Sequence, residues 1–551
     1  MDDLFSTHLA SILDGSYDCV DRIVLNAYFQ FGQRPAGFRT WWRQLEGSDE
    51  NLDNAHLMRM AGRLARRLRA HAKAHQIPVI DCAARERKDV IAAAYLPPDP
   101  DFVGVFVILV GRAPAPVWNV QKSKGGKIVN LERKTQYVNH YHFHIQDPDW
   151  GHVVIRMSGH PPFGAQVILN GHEYVASQAR KAGVQFRKED NCFTEINQPV
   201  SLAQIADTLK STNFVGQLEQ VCQRWIYSAC LCFALDLAEQ ERTHFHYDYS
   251  VYQAEYSHNL IFHSGLQMEQ LLQSLIDRTR SWLDVKRVQT IFGAKKRPYR
   301  HQKNRPQPRF EVVLEKPAYD LTIFKIHFGK LSVKLYSKGE RILRCEAIAH
   351  NTKALHCGRS LPKFPQIVAE LEQILQRFLE VLDCVNCAFL DDGTFDHLSR
   401  PGQVGAKPVA GIDLSKPRMR TILNAVIALA AAPQGITVSA LAAKARELSG
   451  LTPEEYKNRH AAYDLKKLRG KHWVQPVGKS RRYQATTEGL RIMTALLVLR
   501  QGVLKPLLAG ATFADAPACP TRSTLLGDLY QTLQADLLRL FQALGVAVQP
   551  L

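Results

Sequence analysis

The pattern of apolar and polar positions in the first 115 residues predicts a small α/β domain. The stretches DRIVLNAYF (21–29) and PVIDC (78–82) have the composition of strands. Between them, HLMRMAGRLARRLRAHAKAH (56–75) predicts an arginine-rich helix. The apolar run FVGVFVILV (102–110) is typical of a strand that is covered on both faces.

Asp21 and Asp81 each lie near a predicted strand end. Carboxylates there are suitable ligands for Mg²⁺, but isolated aspartates at strand ends are more often cap or turn residues. Glycine-rich phosphate-binding motifs do not follow these strands, so the sequence does not indicate a nucleotide cofactor.

From about residue 116 to 235 the apolar period changes to two, and residues 116–400 as a whole are predicted to form a β-rich α+β region. A helix is expected to begin at Asn170, with Glu173 completing a capping-box-like start. The predicted strands and the predicted hairpin of this region are YHFHIQD (141–147), HVVIRMS (152–158), AQVILNG (165–171), HYDYSVYQAEYSHNLIF (246–262) and KLSVKLYSKGERILRCEAIAH (330–350).

Two faces of the 330–350 hairpin carry candidate chemistry. Lys334 and Tyr336 share a face of the first strand, and Arg344 and Glu346 share a face of the second. Glu346, like Glu255 on the preceding long strand, is a carboxylate among apolar neighbours, and a buried carboxylate needs a partner or an ion. Arg344 is an equally suitable partner for a purely structural ion pair.

Histidines alternate on two predicted strands. HYHFHIQD carries His140, His142 and His144, and THFHYD carries His244 and His246. Paired histidines on a strand are suitable ligands for a divalent ion, but they are also ordinary residues of a half-exposed sheet.

The net charge of the chain indicates a nucleic acid as its binding partner. The 551-residue chain has a formal net charge of +18, and neutralisation of phosphates by basic residues supplies most non-specific affinity for nucleic acid. Residues 294–310 have seven Lys or Arg and no acid, which predicts an exposed arm that follows phosphates, or else a solvated linker. The candidate contacts in this arm are Lys295, Lys296, Arg297, Arg300, Lys303 and Arg305.

Residues 412–510 predict a winged helix-turn-helix, from the order helix, helix, helix, hairpin, helix. The third helix is expected to begin at a capping box formed by Thr452 and Glu455. Basic residues on this helix and on the hairpin tip are suited to groove entry and to flanking phosphate contacts. They are Arg459, Lys466, Lys467, Arg469, Lys479, Arg481 and Arg482.

The predicted fold class is therefore a multidomain α+β protein. Its predicted parts are an α/β domain (1–115), a central nucleic-acid-binding or catalytic α+β region (116–400), a linker (401–411), the winged helix (412–510) and a helical tail (511–551). The tail is either a dimerisation arm, which makes a homodimer one expectation, or a helix packed back on its domain. Lack of a signal-peptide pattern and of a membrane-length apolar run predicts a cytoplasmic protein without a membrane partner.

Several stretches carry a family resemblance: ILDGSYDCVDRIVLNAYF, VNHYHFHIQDPDWGHVVIRM, PFGAQVILNGHEYVASQARKAG, DNCFTEI, YQAEYS and VKLYSKGERILRCE. Together they resemble a family of bacterial hypothetical proteins that are grouped with MarR-like regulators because of a C-terminal winged helix. This resemblance implies one fold across the chain and no particular activity. Locally, VKLYSKGERILRCE also resembles the Tyr-x-Lys…Arg-x-Glu hairpin of rolling-circle replication initiators.

The second resemblance implies a DNA-nicking site. Such initiators hold a divalent ion on paired histidines and a third ligand, while a tyrosine attacks the scissile phosphate. Here it implies Tyr336 as nucleophile with Lys338 nearby, and Mg²⁺ or Mn²⁺ as the ion. The implied ligands are His142 with His144, or His244 with His246, completed by Glu255 or Glu346. The chain departs from the usual Tyr-x-x-Lys spacing, because Lys338 follows Tyr336 by two residues.

Three functions are consistent with these patterns. The first is a metal-dependent endonuclease or nickase of a mobile element or replicon, which finds its DNA site with the winged helix. The second is a non-enzymatic winged-helix transcription regulator, and the third is a protein that binds structured RNA. Basic segments distributed along the chain favour the first, because they indicate an extended nucleic-acid path.

Overall fold

The computed structural model describes residues 4–84, 86–99, 101–282, 312–315, 323–338, 340–386, 397–432 and 434–500, with five separate positions between 529 and 536. It has two compact units. Of the described residues, the first unit contains 6–272 and those from 312 to Gln376. The second unit contains residues 4–5, residues 273–282 and the described residues from Arg377 onwards. The basic arm and most of the tail predicted from the sequence lie outside the described residues, including Lys295, Lys296, Arg297, Arg300, Lys303 and Arg305.

Strands dominate the first unit. They are β1 (Leu13–Tyr28), β2 (Val79–Asp81), β3 (Gly104–Lys122), β4 (Ile128–Asp147), β5 (Gly151–Ser158), β6 (Ala165–Asn170), β7 (Phe186–Glu189), β8 (Cys192–Ile196), β9 (Asp248–Phe262), β10 (Val312–Glu315), β11 (Ile323–Phe328), β12 (Leu331–Ser337) and β13 (Ile342–Ala349).

Eleven of these described strands form one mixed sheet in the order β10-β11-β12-β13-β9-β1-β6-β5-β4-β3-β2, and β7 pairs with β8 alone. The β2–β3 pair is parallel and the other ladders of this sheet are antiparallel. The domain boundary predicted at residue 115 falls inside β3, which pairs with β4 from Gly104 to Lys122. Strands from both sides of that boundary therefore share one sheet.

Helices surround the sheet. The described α-helices between residues 4 and 386 are α1 (Leu4–His8), α2 (Pro35–Glu46), α3 (Asn54–Ala74), α4 (Lys88–Ala93), α5 (Gly171–Lys181), α6 (Pro199–Asp207), α7 (Phe214–Ala229), α8 (Leu237–Arg242), α9 (Gly265–Trp282) and α10 (Phe364–Asn386). Asn170 caps α5 as the sequence predicts, accepting a hydrogen bond from the His172 amide at 2.9 Å. Glu173 does not complete a capping box, because its carboxylate accepts a hydrogen bond from Lys188.

The two faces of the sheet differ in chemistry. On one face, Ile23, Val167 and Ile155 are completely buried. On the opposite face, one row of register partners crosses four strands and is polar and only half-buried. This row is Asn26, Gln166, Arg156 and His142, and we call the surface that it defines the polar face.

The second unit has the element order predicted for residues 412–510. A short hairpin precedes it, in the segment 401–411 that was predicted to be a linker. The elements are β14 (Gly402–Val404), β15 (Lys407–Val409), α11 (Pro417–Ala430), α12 (Val438–Ser449), α13 (Asn458–Gly470), β16 (Val474–Pro476), β17 (Tyr483–Ala485) and α14 (Thr487–Val498).

Helix α13 begins at Asn458, six residues after the predicted start at Thr452. Thr452 and Glu455 do exchange hydrogen bonds, but they close a turn in front of the helix. The helix is held instead by buried Asp464, whose carboxylate accepts hydrogen bonds from Tyr456 and from Arg418, both at 2.8 Å. A carboxylate with two such donors fixes the orientation of α13 within its unit.

No helix among the described residues is both long and apolar enough to cross a bilayer.

Close approach of α5 to β1 gives a testable prediction. A Cβ atom at Gly171 would lie 1.9 Å from the carbonyl oxygen of Val20, so we expect Gly171→Ala to destabilise the fold by about 1–3 kcal/mol. Gly216, in α7, has open space around its Cα, and Gly216→Ala is the matched control, expected to be neutral or slightly stabilising. Urea denaturation measures both variants. Equal stability of the two would contradict the close approach.

Candidate active site

Four adjacent strands of the first unit bring charged residues together on the polar face. In the β13–β9 ladder Glu346 lies opposite Ser257 and Glu255 lies opposite Ile348, so the two glutamates are diagonal neighbours. In the β12–β13 ladder Lys334 lies opposite Glu346. Glu255 and Glu346, which the sequence singled out separately, therefore belong to one site.

Glu346 is the centre of a short hydrogen-bond network. Its Oε2 accepts a hydrogen bond from the Tyr336 hydroxyl at 3.2 Å and another from Lys334 Nζ at 3.4 Å. Burial, together with the charge of Glu346, raises the pKa of Tyr336, so the phenol keeps its proton at neutral pH. Tyr336 and Lys334 are half-buried, which leaves this network open to solvent from the polar face.

Glu255 is the second, half-buried carboxyl group of this site. Its Oε1 accepts a hydrogen bond from Gln253 at 2.6 Å, and among the described residues it forms no ion pair. Burial and the nearby carboxylates of Glu346 and Asp21 raise the pKa of Glu255 to about 8. A glutamate in this environment either holds a proton at neutral pH or attracts a cation.

Asp21 reaches the same site through a bulge in β1. The β1–β9 register steps from Val20 opposite Tyr256 to Ile23 opposite Ala254, so two residues of β1 lie opposite one residue of β9. The Asp21 side chain is 2% exposed, and neither of its oxygens forms a hydrogen bond with a described residue. The expected strand-end position of Asp21 is wrong, since β1 begins eight residues earlier at Leu13.

Two buried groups balance Asp21. His172 Nδ1 lies 2.6 Å from its Oδ1, and Arg344 Nη1 lies 3.7 Å from its Oδ2. Burial raises the pKa of Asp21, but Arg344 and His172 outweigh it and hold the pKa below its usual value. Burial lowers the pKa of His172 in turn.

Arg344 is fixed from three sides. The completely buried guanidinium donates through Nε to Asn259 Oδ1 at 2.6 Å and through Nη2 to the Asn191 carbonyl at 2.5 Å, beside its contact with Asp21. It therefore neutralises Asp21, and not Glu346 or Glu255 as the sequence allowed. Lys338 lies past the end of β12 and forms an ion pair with Asp190 at 3.5 Å, away from the Tyr336 hydroxyl network.

The histidine pairs lie elsewhere. His142 and His144 are on β4, four strands from β9, which at about 4.8 Å a strand is roughly 19 Å from Glu255. Burial and Arg156 lower the pKa of His142 to about 3, and His144 Nδ1 contacts His152 Nε2 at 2.9 Å. The predicted metal site that joins these histidines to Glu255 or Glu346 is therefore wrong.

His244 and His246 fail as ligands for the same reason. Both are exposed in the turn before β9, and His246 Nδ1 contacts the His244 carbonyl at 3.1 Å. Seven residues of extended strand separate the start of β9 at Asp248 from Glu255, a distance of roughly 23 Å. Asp81, the other aspartate of interest, forms an ion pair with Arg69 at the surface.

Two site residues, Asp21 and His172, gave little signal in the sequence. The sequence predicts Asp21 near a strand end. The bulge that turns its side chain towards Glu255 depends on pairing with a strand more than 200 residues later. His172 lies in the first turn of α5, next to the N-cap Asn170, where the sequence pattern indicates only the start of a helix. A charged residue inside the apolar run CVDRIVL was the signal available for Asp21.

In the described part of the chain, no group of three or more His, Cys, Asp or Glu side chains has the geometry of a metal site. Glu255 and Glu346 remain suitable as a pair, because Mg²⁺ is commonly held by one or two carboxylates, waters and substrate phosphates. Glu255, which forms no ion pair with a described residue, would supply one of these carboxylates once it is deprotonated. Such an ion would polarise a phosphoryl oxygen.

Comparison of the chain with protein-family models, with curated proteins and with solved structures finds no match.

The raised pKa of Glu255 gives a second prediction. The folded chain holds one more proton than the unfolded chain between the ordinary glutamate pKa and about pH 8, so the free energy of unfolding falls as pH rises through this range. We expect the wild type to lose up to roughly 1.4 kcal/mol per pH unit relative to Glu255→Gln in this window. Urea denaturation at several pH values measures the difference. Exposed Glu241→Gln is the control. If the free energy of unfolding changes with pH in the same way for wild type and for Glu255→Gln, the raised pKa of Glu255 is refuted.

Proposed function

We propose that the chain is a DNA-processing protein that binds its site with a winged helix in the second unit and cleaves one strand on the polar face of the first. The observation that carries the proposal is the hydrogen bond from Tyr336 to Glu346, next to the carboxyl group of Glu255, which forms no ion pair with a described residue. A nucleophile in contact with a base, beside a second carboxyl group that would hold a cation once deprotonated, is the minimal arrangement for phosphodiester cleavage.

The second unit supports the binding half of this proposal. Helix α13 follows α12 after a turn and precedes the β16–β17 hairpin, which is the order of a recognition helix and its wing. Among the described residues, none of the seven basic residues predicted there forms an ion pair with a carboxylate. They are Arg459, Lys466, Lys467, Arg469, Lys479, Arg481 and Arg482. Positive charge that is not neutralised by a carboxylate is available to phosphates.

The chemistry assigned to the first unit is a transesterification. Glu346 accepts the Tyr336 proton as the phenolic oxygen attacks phosphorus, the bond from phosphorus to O3′ breaks, and the proton passes to the leaving 3′ oxygen. The products are a 5′ phosphotyrosine and a free 3′ hydroxyl. Lys334 donates a hydrogen bond to Glu346 and would offset the negative charge that develops there and on the phenolic oxygen. A Mg²⁺ or Mn²⁺ ion held by Glu255 and Glu346 would supply Lewis-acid stabilisation of the phosphate.

Cleavage assays test this assignment. With Mn²⁺ and labelled single-stranded or supercoiled DNA, we expect nicking and a covalent protein–DNA adduct in wild type. Tyr336→Phe should abolish both, because it removes the nucleophile, and Glu346→Gln should reduce the rate about 100-fold or more. Exposed Tyr137→Phe is the matched control and should retain activity.

Other outcomes identify other functions. Metal-dependent cleavage that survives Tyr336→Phe would show that water is the nucleophile and that Tyr336 is not. Binding of DNA without cleavage by any variant would favour a transcription regulator, and preference for structured RNA over DNA would favour the RNA-binding function.

The winged helix gives its own prediction. We expect Lys479→Ala with Arg481→Ala to weaken binding of duplex DNA and to reduce the slope of log affinity against log salt by about 2, since each lost phosphate contact removes roughly 0.9. The control, Arg187→Ala with Lys353→Ala, removes the same charge from exposed positions of the first unit. Fluorescence anisotropy over a salt series measures the slopes. Equal slopes for the two double variants would rule out a phosphate contact by the hairpin tip.

A further inference from the structure

A cavity of about 800 Å³ opens on the polar face of the first unit, away from the carboxylates. Its floor includes Asn26 and Gln166, which are register partners, and the Gln166 amide donates to Asn26 Oδ1 at 2.9 Å. Three arginines and three serines contribute to its walls. The volume is within the range of small-ligand sites, about 300–1,000 Å³, and is much larger than a lone phosphate requires.

The charge of this cavity is entirely positive. Arg133, Arg156 and Arg359 line it, and its described lining contains no aspartate or glutamate. None of the three forms an ion pair with a carboxylate in the part of the chain that the structure describes. Arginine guanidinium groups without carboxylate partners are the usual recognition elements for phosphate.

Two of these arginines are held in position with hydrogen-bonding capacity left over. Arg133 donates to Gln33 Oε1, and its guanidinium lies over the ring of Trp118, 5.8 Å from the centroid. Arg156 Nε has no hydrogen-bond partner among the described residues, although it is buried. Burial lowers the pKa of both guanidinium groups, the expected effect of desolvation on a charge without a counterion. A bound anion would relieve this cost.

Neutral groups complete the lining. His140 lies beside Arg156, and burial together with Arg156 lowers its pKa to about 4, so the imidazole is uncharged at neutral pH. Ser158, Ser250 and Ser360 present hydroxyl groups, and half-buried Tyr28 offers an aromatic ring. Hydroxyl groups, an imidazole and a ring are suited to a sugar and a base next to the phosphate.

We propose that this cavity binds one nucleotide through its phosphate, with Arg156 and Arg359 as the principal contacts. The proposal deepens the proposed cleavage function and rests on it for the source of the nucleotide. Five residues of β1 separate Asn26 at the cavity from Asp21 at the carboxylates, roughly 16 Å of extended strand. A single strand lying along the polar face would thus place one nucleotide in the cavity while a phosphate a few nucleotides away meets Tyr336.

Calorimetric titration tests phosphate binding independently of cleavage. With thymidine 5′-monophosphate as the probe, we expect saturable binding to the full chain and a loss of about tenfold or more in Arg156→Gln. Arg359→Ala should weaken binding in the same direction, and this residue is exposed, so its loss does not disturb the fold. Arg187→Gln, a surface arginine outside the cavity, is the charge-matched control. Unchanged affinity in both cavity variants would overturn the proposal.

A second arm identifies the source of the phosphate. Binding of a short oligothymidylate is measured in the Lys479→Ala, Arg481→Ala background, so that the winged helix contributes little. If Arg156→Gln lowers the affinity for oligothymidylate as much as it lowers the affinity for the monophosphate, the result supports binding of a DNA strand in the cavity. This conclusion holds even if the chain proves unable to cleave DNA. A loss for the monophosphate alone supports a free nucleotide and overturns the link to the cleaved strand.

Discussion

The ion pair between Arg344 and Asp21 is the constraint on which the candidate active site depends. It joins β13 to β1 across β9, and Arg344 also holds the backbone of the loop between β7 and β8. Both side chains are almost fully buried, and leaving either charge alone would cost several kcal/mol. A buried pair of this kind contributes little net stability, but it fixes the spacing of the strands that carry Glu346 and Glu255.

The ion pair between Arg344 and Asp21 also determines which carboxyl group of the candidate active site is left without a cation. Arg344 neutralises Asp21 and Lys334 contacts Glu346, whereas Glu255 forms no ion pair with a described residue and its pKa is raised to about 8. Glu255 is also half-buried and faces the open side of the sheet. Burial alone would favour an apolar residue at this position. A carboxyl group retained at such a cost indicates a ligand or a proton as its partner.

Local patterns in the sequence predicted most of the elements, and long-range pairing decided the rest. The period of two correctly predicts that Tyr336 shares a strand face with Lys334 and that Glu346 shares one with Arg344, because each pair lies within one strand of a single hairpin. The boundary at residue 115 falls beside Pro114 and Pro116. In the described structure β2 pairs with β3 only as far as Val110, so these prolines lie where that side of β3 is an edge, and an edge tolerates proline. The bulge at Asp21 and the separation of β4 from β9 depend on strand order, which periodicity does not encode.

The proposed function requires affinity and chemistry to come from different surfaces. The described cations of the candidate active site are already paired, Arg344 with Asp21 and Lys334 with Glu346, so this site offers a phosphate backbone no free positive charge. The arginine-lined cavity on the polar face and the basic residues of α13 and its hairpin supply positive charge in separate places. A strand held in the cavity of the first unit would bring a neighbouring phosphate to Tyr336 as an effectively intramolecular reactant. Because flanking contacts are electrostatic, binding should weaken with salt while the chemical step, which depends on buried groups, should not.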